Sequence, residues 1–298
     1  MEDQLIQRFI EENKLPQSFY NVALKWFIPI AEQLHKHKNE AHTPFFVGFN
    51  GCQGSGKSTL CAFIEYYLAR VYKVNSVTLS LDDFYLSRQQ RQALASEVHQ
   101  LFITRGVPGT HDMASLTSVL HKLKNRELGF AIPRFNKATD NPHPIEAWGF
   151  IDKPVELVLI EGWCWGTRPQ SPFQLSEPVN SLEEKEDGKG VWRQYSDRVL
   201  EQAFLPLYNL MDFWIMLKAP SFDCVFEWRL EQEQRLRAVA SKNASGLMTA
   251  NQLRRFVSHY QRLTEHTLNS HRNFDLVIEL APDRSINQVV SRPISGVK

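Results

Sequence analysis

The sequence has few cysteines, and none are spaced for a metal or a disulfide framework. Cys52, Cys61, Cys164 and Cys224 are scattered through 298 residues without a C-x-x-C pair, which argues against a zinc site and points to a reducing compartment. Excess charge of either sign is also missing: 34 basic residues face 33 acidic ones, for a net charge of +1. No global field therefore recruits nucleic acid or an anionic membrane, and an anionic ligand has to be caught by local groups. No apolar run approaches the length of a membrane span. The ten histidines contain no H-E-x-x-H, and His35 with His37 falls in a polar, basic stretch that reads as a solvated helix end. The opening MEDQLIQRF is acidic and amphipathic rather than a basic region followed by an apolar core, so the expected location is the cytoplasm. No internal repeat is visible. A 43% hydrophobic and 22% charged composition is that of a soluble chain able to build a full core.

Against this unremarkable background one stretch stands out. Gly51 to Ser58, GCQGSGKS, matches G-x-x-x-x-G-K-[ST] with Gly51, Gly56, Lys57 and Ser58 at the fixed positions. It follows an apolar run, Pro44 to Phe49, that reads as a buried strand. It precedes Leu60, Phe63, Ile64, Tyr67, Leu68 and Val71 at helical spacing. Strand, loop and helix in that order are the context in which glycines let backbone N–H groups converge on a phosphate at a helix N-terminus. Lys57 can reach the terminal phosphates of a nucleotide, and the Ser58 hydroxyl can ligate Mg²⁺. The loop residues Gly51, Cys52, Gln53, Gly54, Ser55, Gly56, Lys57, Ser58 and Thr59 are accordingly the expected nucleotide site.

The remaining chain alternates between strand and helix patterns. Residues 2 to 38 read as two helices broken at Pro16, with Trp26, Phe27 and Ile30 on an apolar stripe. Ser76 to Leu81 is a short strand whose end carries Asp82 and Asp83. Arg105 to Asp112, RGVPGTHD, is turn-rich and places Asp112 as an N-cap for the helix that follows. Pro154 to Ile160 is a buried strand ending in Glu161, and Met211 to Leu217 and Phe274 to Leu280 read as two more. Helices are expected near Trp192 to Leu205, over Phe222 to Val239, and after a polar break at Ser241 to Gly246. From Ser176 to Gly190 hydrophobicity collapses and acids cluster, which predicts a mobile surface insertion from which Glu183 to Lys189 could be removed without harm. The alternation as a whole predicts an α/β fold with a doubly wound parallel sheet.

Three constellations carry candidate chemistry. Asp82, at a strand tip beside the P-loop strand, is placed to accept the proton of a hydroxyl attacking the γ-phosphate; Asp82 and Asp83 could equally cap the next helix. Glu161, after four consecutive apolar residues, has the position of a Walker B acid that holds the water shell of Mg²⁺ or orients the base. Ser58, Glu161 and Asp82 together are the candidate metal ligands. Arg229, Arg235 and Arg237 could close over the nucleotide, or form a solvated helix face paired with Glu227, Glu231 and Glu233.

GCQGSGKS, LDDFY, RGVPGTHD, PRFNKA and LIEGWCWG, in that order, resemble the P-loop small-molecule kinases that include uridine kinase, pantothenate kinase and phosphoribulokinase, and most closely the D-glycerate 3-kinase branch. The resemblance covers residues 40 to 285. It implies a P-loop NTPase sheet flanked by helices; the helical pattern of residues 1–40, which carries little of the resemblance, reads as an N-terminal extension to a kinase domain over residues 41–298. It further implies ATP and Mg²⁺ as cosubstrates, a small hydroxy acid as acceptor, Asp82 as base, Glu161 as the acid of E-G, and RGVPGTHD and PRFNKA near the acceptor. Arg105 and Arg134 are then the candidates for the acceptor carboxylate, with His111, Asp112 and Lys137 beside them. Asn136 stands where this branch commonly carries an acid in R-[FY]-D-K.

Overall fold

The computed structural model describes residues 2–41, 44–239 and 248–292, without the side chains of 232 and 235–239. Helix α1 (Glu2–Glu12) is followed by a helical stretch that enters through Phe19–Val22 and the π turn Ala23–Phe27 and continues as α2 (Ile28–Glu40). Strand β1 (Phe45–Gly51) leads through the P-loop into α3 (Lys57–Val71), then to β2 (Ser76–Ser80) and α4 (Met113–Lys124). Next come β3 (Leu157–Gly162), α5 (Ser181–Glu186), α6 (Val191–Val199) and β4 (Phe213–Lys218). The chain continues with α7 (Phe222–Val239), α8 (Ala250–Asn269), β5 (Leu276–Leu280) and β6 (Ile286–Ser291).

The strands lie side by side in the order β6-β5-β4-β1-β3-β2. All pairs are parallel except β6 on β5. From β1 the chain goes out to β2, returns to β3, and then crosses to β4 on the other side, so the strand order reverses at β1. In such sheets ligands bind in the crevice outside the carboxyl ends of the strands, and the P-loop sits there. The four apolar runs that predict β1, β3, β4 and β5 begin one to three residues before the observed strands. The sequence reading closes the sheet at Leu280, and the structure adds the antiparallel edge strand β6 beyond it.

Two-residue periodicity divides the core. Phe45, Val47, Phe49, Leu157, Leu159, Phe213, Ile215 and Leu217 pack on one face with α3 and the N-terminal helices. Phe46, Val158, Ile160, Trp214 and Met216 pack on the other. On the first face Phe63 of α3 meets the rings of Phe9, Phe19 and Phe27, with the Phe9–Phe63 centroids 5.1 Å apart and edge-on. The N-terminal helices thus share one core with the sheet, because their aromatic stripe has its complement on α3.

The acidic segment differs from the sequence expectation. Glu183 is fully buried and receives Nε and Nη2 of the equally buried Arg262 on α8 at 2.8 and 2.6 Å. Arg262 also donates to the carbonyls of Gln174 and Glu177. Asp187, 2% exposed, accepts from the backbone of Trp192 and Arg193 and pairs with the Arg193 guanidinium at 3.1 Å. The segment is therefore held by two buried carboxylates rather than standing loose on the surface. The acids that depress its hydropathy are the groups that fasten it, which removes the ground for expecting Glu183 to Lys189 to be dispensable. The polar break at Ser241 to Gly246 lies outside the described residues.

Breaking one member of a buried, bidentate pair leaves the other charge without a partner, at a cost of about 3–5 kcal/mol. Glu183→Gln is expected to lower the stability measured by urea unfolding by this order, whereas Glu186→Gln, whose partner Arg255 is exposed, should change it by less than about 1 kcal/mol. Equal effects for the two would contradict the buried-anchor account.

Candidate active site

Backbone conformation explains the loop. Gly54 and Gly56 have φ of +81° and +91°, where a side chain is strained. Gly51 turns so tightly that a Cβ there would lie 2.6 Å from the Ser55 hydroxyl. Gly56 is the residue before α3, so the first-turn N–H groups of that helix and the positive end of its dipole face the crevice.

The loop is fastened to the neighbouring strand ends by one buried carboxylate. Glu161 closes β3 in register with Phe49 of β1 and Ser80 of β2. Its Oε1 accepts from Ser58 Oγ at 2.9 Å and from Ser80 Oγ at 3.0 Å, and its Oε2 lies 3.6 Å from Lys57 Nζ. Burial works to lower the Lys57 pKa, but Glu161 and Asp82 outweigh it and hold the ammonium above its ordinary value. Lys57 is thus a fixed cation at the mouth of α3. The buried Ser55 hydroxyl has no hydrogen-bond partner among the described residues.

Asp82 and Asp83 lie on a single helical turn, Leu81–Phe84, after β2 and diverge. Asp82 accepts from Lys137 Nζ at 2.6 Å and from the Tyr85 hydroxyl at 2.9 Å. Asp83 instead accepts from Arg134 at 2.7 Å and from the Phe135 backbone at 3.1 Å. Burial pulls the Asp82 pKa up, yet Lys137 and Lys57 hold it below the ordinary carboxylate value, so Asp82 is ionised at neutral pH. Backbone bonds from Leu86 to Thr110 and from Asp112 to Phe84 lace this turn to RGVPGTHD. His111 is thereby stacked on Tyr85 at 4.5 Å. Burial lowers its pKa to about 4, so the imidazole is neutral, and neither ring nitrogen has a hydrogen-bond partner among the described residues.

A cavity of about 390 Å³ joins these groups. It is lined by P-loop residues Gln53, Gly54, Gly56, Lys57, Ser58 and Thr59, by Ser80, Asp82, Lys137 and Glu161, and by Glu231 and Arg284. Of the expected acceptor residues it receives only Lys137. Arg105 is bonded to Asp140, which also holds Arg91, and Arg134 to Asp83; both guanidiniums are engaged by carboxylates and stand back from the cavity lining. Asp112 serves as the N-cap of α4, its Oδ1 accepting from Ser115 at 2.9 Å. Cys52 is turned away into a separate crevice with Asn50 and Trp163. Arg229 pairs with Glu233 one turn on at 3.4 Å, but Glu233 is buried, so the pair is not the solvated face the sequence also allowed, and Arg229 does not line the cavity. The side chains of Arg235 and Arg237 lie outside the described residues. Three lining residues carry no sequence motif. Ser80 sits two before Asp82, Glu231 is on α7, and Arg284 is in the β5–β6 turn, where it pairs with Glu231 and covers the Trp228 ring at 5.5 Å.

A glycine cradle at a helix N-terminus, a lysine and serine tied to a strand-end acid, and an ionised aspartate on the turn after the strand beside that acid define a P-loop NTPase of the kind that transfers phosphoryl groups to small molecules. No family model matches the chain. An uncharacterized kinase of Schizosaccharomyces pombe is 31% identical over 242 residues, covering 78% of this chain and 83% of that protein. The chloroplastic D-glycerate 3-kinase of Arabidopsis thaliana is 27% identical over 262 residues, 83% of this chain and 54% of that protein; the chain thus spans about half the length of the plant protein. The solved structure of D-glycerate 3-kinase from Cryptococcus neoformans superposes with a TM-score of 0.73 at 25% identity, covering 91% of this chain and 99% of that one. The chain belongs to the D-glycerate 3-kinase-like P-loop kinases. No helix among the described residues is long and apolar enough to cross a membrane.

Two substitutions separate the roles. Lys57→Ala should abolish phosphoryl transfer while the chain still folds, with a lowered melting temperature because the buried Glu161 loses its ammonium partner. Asp82→Asn should retain nucleotide binding and lose about 10²- to 10⁴-fold in kcat, the range for a lost general base, while Asp83→Asn, facing Arg134, should lose less. A larger kcat loss in Asp83→Asn would transfer the base role to Asp83.

Proposed function

We propose that this kinase transfers the γ-phosphoryl group of ATP to a hydroxyl of D-glycerate, giving 3-phosphoglycerate. The observation that carries the reading is the convergence of Lys57, Ser58, Glu161, Asp82 and Lys137 on one cavity; the kinship with two D-glycerate 3-kinases supports the choice of acceptor. In the reaction the acceptor oxygen attacks the γ-phosphorus, the bond to the bridging oxygen breaks with its electron pair leaving on ADP, and the hydroxyl proton passes to the Asp82 carboxylate. Lys57 compensates the charge on the phosphates, and the backbone of the loop fixes their position. Lys137, bonded to Asp82 and 61% exposed, is the cation that best meets an acceptor carboxylate, because it lines the cavity and Arg105 and Arg134 do not. The Ser58 hydroxyl with the Glu161 and Asp82 carboxylates is a set of hard oxygen donors that fits Mg²⁺. A bound Mg²⁺ would supply Lewis-acid charge beside the phosphates.

ADP release measured across D-glycerate, other hydroxy acids, nucleosides and pantothenate should be stimulated most by D-glycerate. A neutral alcohol that outcompetes it would overturn the acceptor assignment.

The Asp82 pKa gives a pH test with a definite sign. A base whose pKa is held low stays active until pH falls through that low value. Removing Lys137 removes the largest interaction holding it down, so the acid limb of kcat should move to higher pH in Lys137→Met. An unmoved limb would contradict Asp82 as the titrating base.

A further inference from the structure

The charged side chains that line the phosphate cavity among the described residues fall into three ion pairs. Lys57 lies 3.6 Å from Glu161, Lys137 is bonded to Asp82 at 2.6 Å, and Arg284 is bonded to Glu231. Each cation is matched by an anion, so these side chains present no net charge to an entering polyphosphate. A site that gathers a polyanion needs an excess of positive charge, and among these groups an excess arises only if a pair opens.

Two of the pairs are fastened by further bonds. Glu161, its side chain 8% exposed, also holds the Ser58 and Ser80 hydroxyls, and Asp82 also accepts from the Tyr85 hydroxyl. The third is not. The Glu231 side chain is 49% exposed on α7 and has no second partner among the described residues, so water can replace its contact at small cost. It engages Arg284 through Nη2, while Arg284 Nε is buried without a hydrogen-bond partner among the described residues, which leaves the guanidinium fork only partly used. The arginine itself is built in. Its backbone, at φ +70°, belongs to a β5–β6 turn closed by bonds from Arg284 to Ala281 at 2.9 Å and from Ala281 to Ser285 at 2.8 Å. Trp228 Nε1 donates to the Pro282 carbonyl of that turn at 2.6 Å, and the buried Trp228 ring lies 5.5 Å from the guanidinium. When the carboxylate leaves, the cation stays.

We propose that Arg284 is a phosphate-binding cation of this kinase and that Glu231 is a competing anion, which occupies the guanidinium until the polyphosphate of the nucleotide displaces it. The inference rests on the nucleotide reading above and deepens it. Glu231 is thereby a brake on nucleotide affinity, set outside the P-loop on a helix that contributes no other side chain to the cavity lining.

Equilibrium binding of ATP and of inorganic tripolyphosphate tests the pair, because its two halves should act in opposite directions. Arg284→Leu should raise the Kd of both ligands about tenfold or more, the loss of a charge-assisted contact, with Arg284→Lys between it and the unchanged chain. Glu231→Gln should lower both Kd values about threefold or more, since no ion pair has to be broken. Made on Arg284→Leu, Glu231→Gln should tighten binding by less than it does alone. Without ligand both single variants lose the same pair, so their melting temperatures should move together while their affinities move apart. A Glu231→Gln chain that binds either ligand no more tightly than the unchanged chain would overturn the proposal, whether or not the Arg284 variants fold. So would a tightening of equal size in the Arg284→Leu background, which would make Glu231 a general repulsive charge rather than the occupant of Arg284. Undiminished binding of both ligands to Lys57→Ala would instead overturn the nucleotide reading, and this proposal with it.

Discussion

The buried Glu161 carboxylate is the contact on which the site depends. It is the last polar group of a strand that is otherwise fully apolar, and it collects hydroxyls from Ser58 and Ser80 and the ammonium of Lys57. One side chain thereby fixes the helix after the P-loop relative to two parallel strands, β3 and β2. A carboxylate so deep in the fold is tolerable because donors surround it, and the same donors are the groups that a kinase needs in place before substrate arrives. Preorganisation of this kind is what phosphoryl transfer asks of a protein, since the chemistry is largely a matter of alignment and charge.

The divergence of Asp82 and Asp83 shows how the fold assigns different work to adjacent identical residues. Asp83 is consumed in holding Arg134 and the Phe135 backbone, which anchors PRFNKA beside the turn. Asp82 faces the cavity, balanced by two lysines. Similarly, Arg105 and Arg91 share Asp140 and hold the RGVPGTHD loop rather than project from it. The motif residues around the site thus divide into those that meet the cavity and those that brace the residues that do.

This division sets how much could be read from the chain alone. The P-loop, Asp82, Glu161 and the four parallel core strands outside β2 announce themselves through local patterns: fixed glycine spacing, apolar runs, an acid at a strand end. Ser80 could have been found by noticing that strand-end residues two apart share a face. Arg284 could not, because only the β5–β6 hairpin brings it across the loop, and INQVVS is too short and mixed to mark that hairpin strongly. Glu183 was misread for a related reason: its partner Arg262 lies 79 residues away, and without that partner a cluster of acids looks like a solvated loop. The arginines of RGVPGTHD and PRFNKA have the right chemistry for an acceptor carboxylate, but composition does not reveal that Asp140 and Asp83 already occupy them.

The most direct test of the central claim is the fate of the γ-phosphorus when the chain is given ATP, Mg²⁺ and D-glycerate, followed by phosphorus NMR. The proposed glycerate 3-kinase activity predicts a phosphomonoester on the C3 oxygen of glycerate, formed in step with ADP. ADP accompanied only by inorganic phosphate, at a rate indifferent to glycerate, would contradict it.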